Sequence, residues 1–198
     1  MDLVSRAQGI ILKPKDEWEK IKKESTPVGQ LFTSYAVLLA LIPAIAQFIG
    51  YGLIGYRVPF IGWVRFGIGN ALIRSVVYYI STLVVVYVFG LIINALAPSF
   101  SSKPSAENAM KIAVFSMTPV WVAGILYIIP FLWFLVLLAS LYGIYILYLG
   151  FAAPLMETPK DKVVSYLLVS IVAIVVLMII VSVVLGAIFT VGGVYRTL

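Results

Sequence analysis

Four long stretches without a single charged residue organise this chain, at residues 25–56, 75–97, 112–156 and 163–195, and short charged or proline-bearing breaks separate them. A bilayer's hydrocarbon core is about 30 Å thick and takes about 20 apolar residues per helical crossing. The 45 residues from 112 to 156 would make a helix of about 67 Å at about 1.5 Å per residue, so that stretch must cross twice. The pattern predicts an all-α polytopic transmembrane bundle of five helices over about 31–55, 75–97, 112–129, 131–153 and 163–192.

Turn and cap residues set the boundaries. Thr26-Pro27 reads as a hydroxyl cap followed by a proline in the first turn, where a missing N–H costs nothing. Pro43 predicts a kink in the first span, and Ala36, Ala40 and Ala44 form a small-residue stripe that lets another helix approach. Residues 56–74 set Arg57, Arg65 and Arg74 among Pro59, Phe60, Trp63, Phe66 and three glycines. That mixture suits the headgroup level and reads as an interfacial loop anchored by Trp63 and Arg65. The second span ends at Ala97-Pro98. Ser105 caps the third helix and Lys111 marks the membrane edge. Met117-Thr118-Pro119 predicts a bend, and Ile129-Pro130 the turn of a tight helical hairpin. Thr158, Pro159 and Asp161 read as cap, first-turn proline and reciprocal cap partner. Ser182, Gly186 and Thr190 form a second small-residue stripe, on a helix long enough to require tilt.

The polar opening stretch, residues 1–30, stands apart as a cytoplasmic or interfacial segment before a transmembrane domain over 31–195. It has no signal-peptide pattern, because it holds six Lys/Arg and five Asp/Glu rather than a short apolar core. Leu3, Ala7, Ile10 and Ile11 recur at helical spacing, and Trp18 and Ile21 follow Pro14. Two short amphipathic helices are expected on the headgroups, with Trp18 as anchor and Lys20, Lys22 and Lys23 on anionic lipid. The alternative is a solvated helical pair capping the bundle.

Composition and charge placement sharpen the picture. Of 198 residues, 63% are hydrophobic and 11% charged, and mean hydropathy is +1.11, against about 25% charged in soluble domains. The net charge of +6 is explained by the membrane and calls for no nucleic acid. Five spans put ten Lys/Arg with the N-terminus and four (Arg57, Arg65, Arg74, Arg196) on the other side. The richer side is cytoplasmic by the positive-inside rule, which leaves the C-terminus outside. A prokaryotic cell membrane is the expected location.

Cysteine and histidine are absent, so thiolate chemistry, the commonest zinc ligands and the usual proton carrier near neutral pH are missing. No nucleophile with a base and no intramembrane carboxylate is apparent, so no enzyme activity, cofactor or metal is expected. Arg74 sits at a span edge, where it can snorkel to the outer surface. The spans hold neutral polarity at Gln47, Asn94, Thr118, Tyr142, Tyr145 and Tyr148, with Pro119 and Pro130 as breaks. Tyr142 is expected to face the bundle and pair with Asn94 or Thr118.

Several stretches in combination carry a family likeness. These are Pro14 with Glu17, Trp18 and Ile21, the run Gln47 to Gly55, the run Phe115-Ser-Met-Thr-Pro119 through Pro130, the run Leu141-Tyr-Gly-Ile-Tyr145 to Gly150, and Thr158-Pro-Lys-Asp-Lys162. The chain resembles the prokaryotic branch of the YIP (Ypt-interacting protein) domain family over nearly its whole length. The resemblance implies a five-span helical membrane domain with a cytoplasmic N-terminus. Eukaryotic members are associated with Rab-type GTPases and vesicle traffic, so a GTPase partner is implied by resemblance alone. Two functions follow. One is a membrane scaffold or organiser acting on lipid bilayer, as a homo-oligomer or with another membrane protein. The other is a transporter or channel for a neutral or lipid-like solute.

Overall fold

The computed structural model describes residues 2–153 and 155–191. Two short helices, α1 (Leu3–Leu12) and α2 (Pro14–Lys23), lead into the bundle. Five helices long and apolar enough to cross a membrane follow: α3 (Val28–Ile54), α4 (Ile68–Phe100), α5 (Ala106–Ile128), α6 (Pro130–Ala152) and α7 (Val163–Val191). Between α3 and α4 lies a small antiparallel hairpin, β1 (Tyr56–Val58) and β2 (Gly62–Val64), with Arg57 opposite Trp63.

Local chemistry accounts for most of the boundaries. Asp2 caps α1 by accepting from the Ser5 backbone N–H at 3.1 Å. Pro14 occupies the first turn of α2, with Asp16 and Glu17 near the positive end of the helix dipole and Lys20, Lys22 and Lys23 near the negative end. Ser105 caps α5 through the Asn108 N–H at 3.3 Å. The expected bend at Met117-Thr118-Pro119 is present, since α5 breaks there and restarts with Pro119 in its first turn. Ile129 is extended and Pro130 opens α6, so the proline hairpin lies where it is expected.

Three expectations are corrected. Thr26 does not cap α3; Pro27 holds that position, and the Thr26 N–H donates instead to Glu107 Oε1 at 2.7 Å. Thr158 lies a turn ahead of α7, where its hydroxyl accepts from Ser102 at 3.0 Å, while a 2.9 Å bond from Lys162 N–H to the Pro159 carbonyl closes a separate turn. A cap signature records only that some turn begins, and here two turns follow in succession. The region 56–74 is not loop throughout, since it folds as the β-hairpin and then as the first two turns of α4. Arg74 does not delay the helix, because a long cationic side chain can reach past the turns that precede it.

The third span is the centre of the bundle. It packs on α3, α4 and α6 and on the N-terminal helices, whereas α7 packs on α4 and α6. Burial follows that order, from 67% of the most apolar window of α5 to 11% in α7. The remaining faces of α3, α4, α6 and α7 expose Leu, Ile and Val, as lipid contact requires. Trp18, Tyr35, Phe89, Phe115, Trp121, Phe151 and Tyr166 fill the core, with Phe115 edge-on to both Trp18 and Tyr35.

Small residues let backbones meet where the driving force is packing rather than water exclusion. The clearest case is Gly50, where a Cβ would stand 2.0 Å from the Tyr127 carbonyl oxygen. Backbone cannot yield as a side-chain tip can. Gly50→Ala is therefore expected to destabilise the bundle by about 1–3 kcal/mol or more. Gly29→Ala, where a Cβ meets nothing within 4 Å, should leave thermal unfolding in detergent unchanged or slightly improved. Equal melting temperatures for the two variants would contradict this packing.

Candidate functional site

Charge is buried where the N-terminal helices meet the spans. Arg6 Nη1 donates to Glu17 Oε1 at 2.6 Å, and Nη2 to Glu24 Oε1 and Oε2 at 2.5 and 2.6 Å. Glu17 also accepts from Lys20 at 2.8 Å. Beside this group, Lys111 Nζ pairs with Glu107 at 2.8 Å and donates to the Glu24 carbonyl at 2.5 Å. Arg6, Glu17 and Lys111 are 7%, 5% and 1% exposed. Three cations thus face three carboxylates, a balance that removes the field an unpaired charge would leave in a low-dielectric site. The Arg6 guanidinium also lies 5.8 Å from the centroid of the Phe115 ring.

This network fastens α1 and α2 to the bundle, and Trp18 completes the attachment. Its indole is 1% exposed, donates to the Ile146 carbonyl at 3.2 Å and rests on Gly150, where a Cβ would stand 2.9 Å from the ring. The headgroup anchor expected at Trp18 is therefore a buried peg, because the apolar face of α2 finds protein before it finds lipid. Lys20 keeps most of its side chain exposed while pairing with Glu17, and Lys22 and Lys23 are exposed.

The other sequence-selected residues divide into separate places. Thr118 shares a 2.8 Å hydrogen bond with Tyr35, deep in the core. Pro119 and Pro130 are buried at the break and the turn. Tyr142 does not meet Asn94 or Thr118; its hydroxyl donates to the Ile11 carbonyl at 2.8 Å, a further tie to α1. Tyr145 stacks at a tilt on Tyr142 with centroids 5.8 Å apart, and Tyr145 and Tyr148 are exposed on α6. The Oδ1 of Asn94 is buried without a hydrogen-bond partner among the described residues. Trp63 is exposed on the β-hairpin, and Arg65 follows it. Of the second small-residue stripe, Ser182 and Gly186 are exposed on α7, and the side chain of Thr190 lies outside the described residues, as does Arg196.

Gln47 lines a cavity that the other polar candidates do not border. At the end of the bundle opposite α1 and α2, a space of about 490 Å³ opens between α3, α4, α5 and α7, bordered also by Tyr78, Tyr127, Arg74 and Ser75.

Sequence reasoning missed the ion network, although a signal was present. Arg6 falls between Leu3 and Ile10 on the apolar stripe of α1, and Glu17 and Ile21 share one face of α2, with Glu24 at its C-cap. A charge on the apolar face needs a buried partner.

A family model for the Yip1 domain matches residues 9–194. Over 150 residues the chain is 28% identical to the inner membrane protein YohC of Escherichia coli strain K12, an alignment covering 74% of this chain and 77% of that protein. The inner membrane protein YohC of E. coli O6:H1 strain CFT073 gives the same values. No solved structure matches the chain.

The ion network yields a double-mutant test. Glu17→Gln removes one carboxylate from a buried guanidinium and is expected to cost about 3–5 kcal/mol, seen as faster trypsin cleavage after Lys20 and Lys22, which are exposed on α2. Combining Arg6→Met with Glu17→Leu removes both buried charges and should recover much of the protection. A Glu17→Gln chain as resistant as the parent would show that the pair does not hold α1 and α2.

Proposed function

The chain belongs to the Yip1 domain family, and from that membership we propose that it is a non-enzymatic membrane scaffold whose N-terminal helices present a surface to a protein partner. The observation that carries this reading is the fixed attitude of α2. With Glu17, Trp18 and Ile21 turned into the bundle, Lys15, Asp16, Glu19, Lys20, Lys22 and Lys23 are left exposed as one ordered face of mixed charge. Exposed charges of both signs on a rigid element suit partner selection more than bulk affinity. The partner is a second copy or another membrane protein, and a GTPase is suggested by the family alone.

The conduit reading has weaker support. A path for a neutral solute needs its polar groups along one cavity, whereas Gln47 lines a space at one end, Tyr142 is tied to α1 at the other, and the Asn94 Oδ1 is buried away from both.

Orientation belongs to the same proposal. The ten Lys/Arg on the N-terminal side favour a cytoplasmic N-terminus and an external β-hairpin and C-terminus. The E. coli relatives are named for the inner membrane, and a prokaryotic cell membrane is the location proposed here.

Absence of cysteine makes both parts testable by single substitution. Phe60→Cys, at the tip of the β-hairpin, should react with a membrane-impermeant maleimide in intact cells, and Lys160→Cys should not; the reverse pattern overturns the orientation. A photo-crosslinker at Lys22→Cys should trap a specific higher-mass adduct in native membranes. Monomer alone, with no co-purifying protein, would sink the scaffold reading.

A further inference from the structure

We infer that α1 and α2 form a re-entrant hairpin that enters the bilayer to about its middle, with one edge of α1 against acyl chains and the charged face of α2 in a water-filled recess beside α6. Contacts fix the depth. Tyr142, within a residue of the middle of α6, donates to the Ile11 carbonyl. Leu39 and Ile42 straddle the middle of α3 and line one groove with Ile11 and Leu12. α1 also packs on Thr118–Ala123, just past the middle of α5. Three spans thus meet α1 halfway along their length, and half of a hydrocarbon core about 30 Å thick is about 15 Å.

α2 carries the chain back to the membrane surface. Trp18 lies against Ile146 and Gly150, in the last third of α6. Glu24, at the end of α2, takes Lys111 on its carbonyl near the start of α5. Asp16 is about 12 Å along α2 from Glu24 at about 1.5 Å per residue, so it sits well inside the hydrocarbon level.

The two helices meet different surroundings at that depth. The groove between α1, α3 and α5 has a volume of about 390 Å³ and is apolar at every lining residue but Gln8, and Leu12 on its rim is 74% exposed. An apolar groove level with the middle of three spans is covered by hydrocarbon, so its occupant is an acyl chain of the leaflet that the hairpin enters. α2 turns Glu17, Trp18 and Ile21 inward and leaves Lys15, Asp16 and Glu19 exposed. A lysine stem can carry its ammonium toward the headgroups, but the short Asp16 side chain cannot, and a carboxylate in hydrocarbon is expensive. Water therefore reaches it. Tyr145 and Tyr148 support the same recess from α6. Both are exposed, Tyr145 stacks on the Tyr142 that holds Ile11, and neither hydroxyl has a hydrogen-bond partner among the described residues. A hydroxyl at that depth needs one, and water in the recess supplies it.

The test uses nitroxide labels on single cysteines in the full chain, reconstituted in vesicles of phosphatidylethanolamine and phosphatidylglycerol. Collision with oxygen reports hydrocarbon, and collision with a water-soluble nickel chelate reports water. Leu12→Cys should match Val84→Cys, exposed at the middle of α4, and favour oxygen. Asp16→Cys should match Lys160→Cys, exposed in the loop before α7, and favour the chelate. The oxygen-to-chelate ratio should differ about tenfold between the two pairs, because polar solutes avoid hydrocarbon. Val4→Cys and Glu19→Cys, at further exposed positions of α1 and α2, carry the test if either first variant fails to fold. A chelate-favouring Leu12→Cys would place the hairpin outside the bilayer, and an oxygen-favouring Asp16→Cys would remove the recess; either result overturns the inference. Shielding of Asp16→Cys from both reagents would mean that a second copy covers α2, which overturns the recess and leaves the scaffold reading standing.

Discussion

The ion pair between Arg6 and Glu17 sets how the N-terminal helices meet the membrane domain. A guanidinium and a carboxylate 2.6 Å apart and almost wholly buried are tolerable only if both stay in place, because either one alone would be an uncompensated charge in a low-dielectric setting. That condition holds α1 and α2 in a single arrangement. Glu24 and Lys111 extend it, since the Glu24 carboxylate receives Arg6 and its carbonyl receives Lys111. Lys111 in turn orients Glu107, whose carboxylate takes the Thr26 N–H at the entrance to α3. One chain of charge contacts therefore runs from the first helix to the start of the first span and into the central one.

Around that attachment, the bundle obeys the demand that backbone polar groups be satisfied within the protein when lipid is the solvent. Side chains with spare donors turn to helix carbonyls. Trp18 reaches Ile146, Tyr142 reaches Ile11, Tyr79 reaches Val37 and Tyr166 reaches Ile93. Each is a bond between elements distant in sequence, so the hydroxyl and indole groups join helices rather than line a passage. The two ends of the bundle differ as a result. The acidic side chains and their partners crowd one end, and a cavity bordered by Gln47, Tyr78 and Tyr127 lies at the other.

Much of this was legible in local sequence. The proline hairpin at Ile129-Pro130, the break at Thr118-Pro119, the Ser105 cap and the start of α7 at Val163 all lie where contiguous residues predict them. The misses share a cause. Thr26 and Thr158 have capping chemistry but spend their N–H or hydroxyl on Glu107 and Ser102, partners that no local window contains. Trp18 has the flanking lysines of an interfacial anchor, yet Gly150 and Ile146 offer it a closer seat. The hairpin at 56–64 is too short to establish a period and depends on left-handed backbone at Phe60 and Gly62.

By itself, then, the sequence determined the number of crossings, their proline turns and the side on which cations concentrate. Those follow from hydrophobic length, missing N–H groups and charge counts, which are properties of neighbouring residues. Only the tertiary structure decided where the charges go. Arg6 meets carboxylates 11 and 18 residues away, and Lys111 meets a carbonyl 87 residues away. An apolar stripe on α2 states that one face leaves water, but lipid and protein satisfy that stripe equally well. The choice was made by the groove beside α6, where a glycine opens room for an indole and a buried carboxylate waits within reach of Arg6.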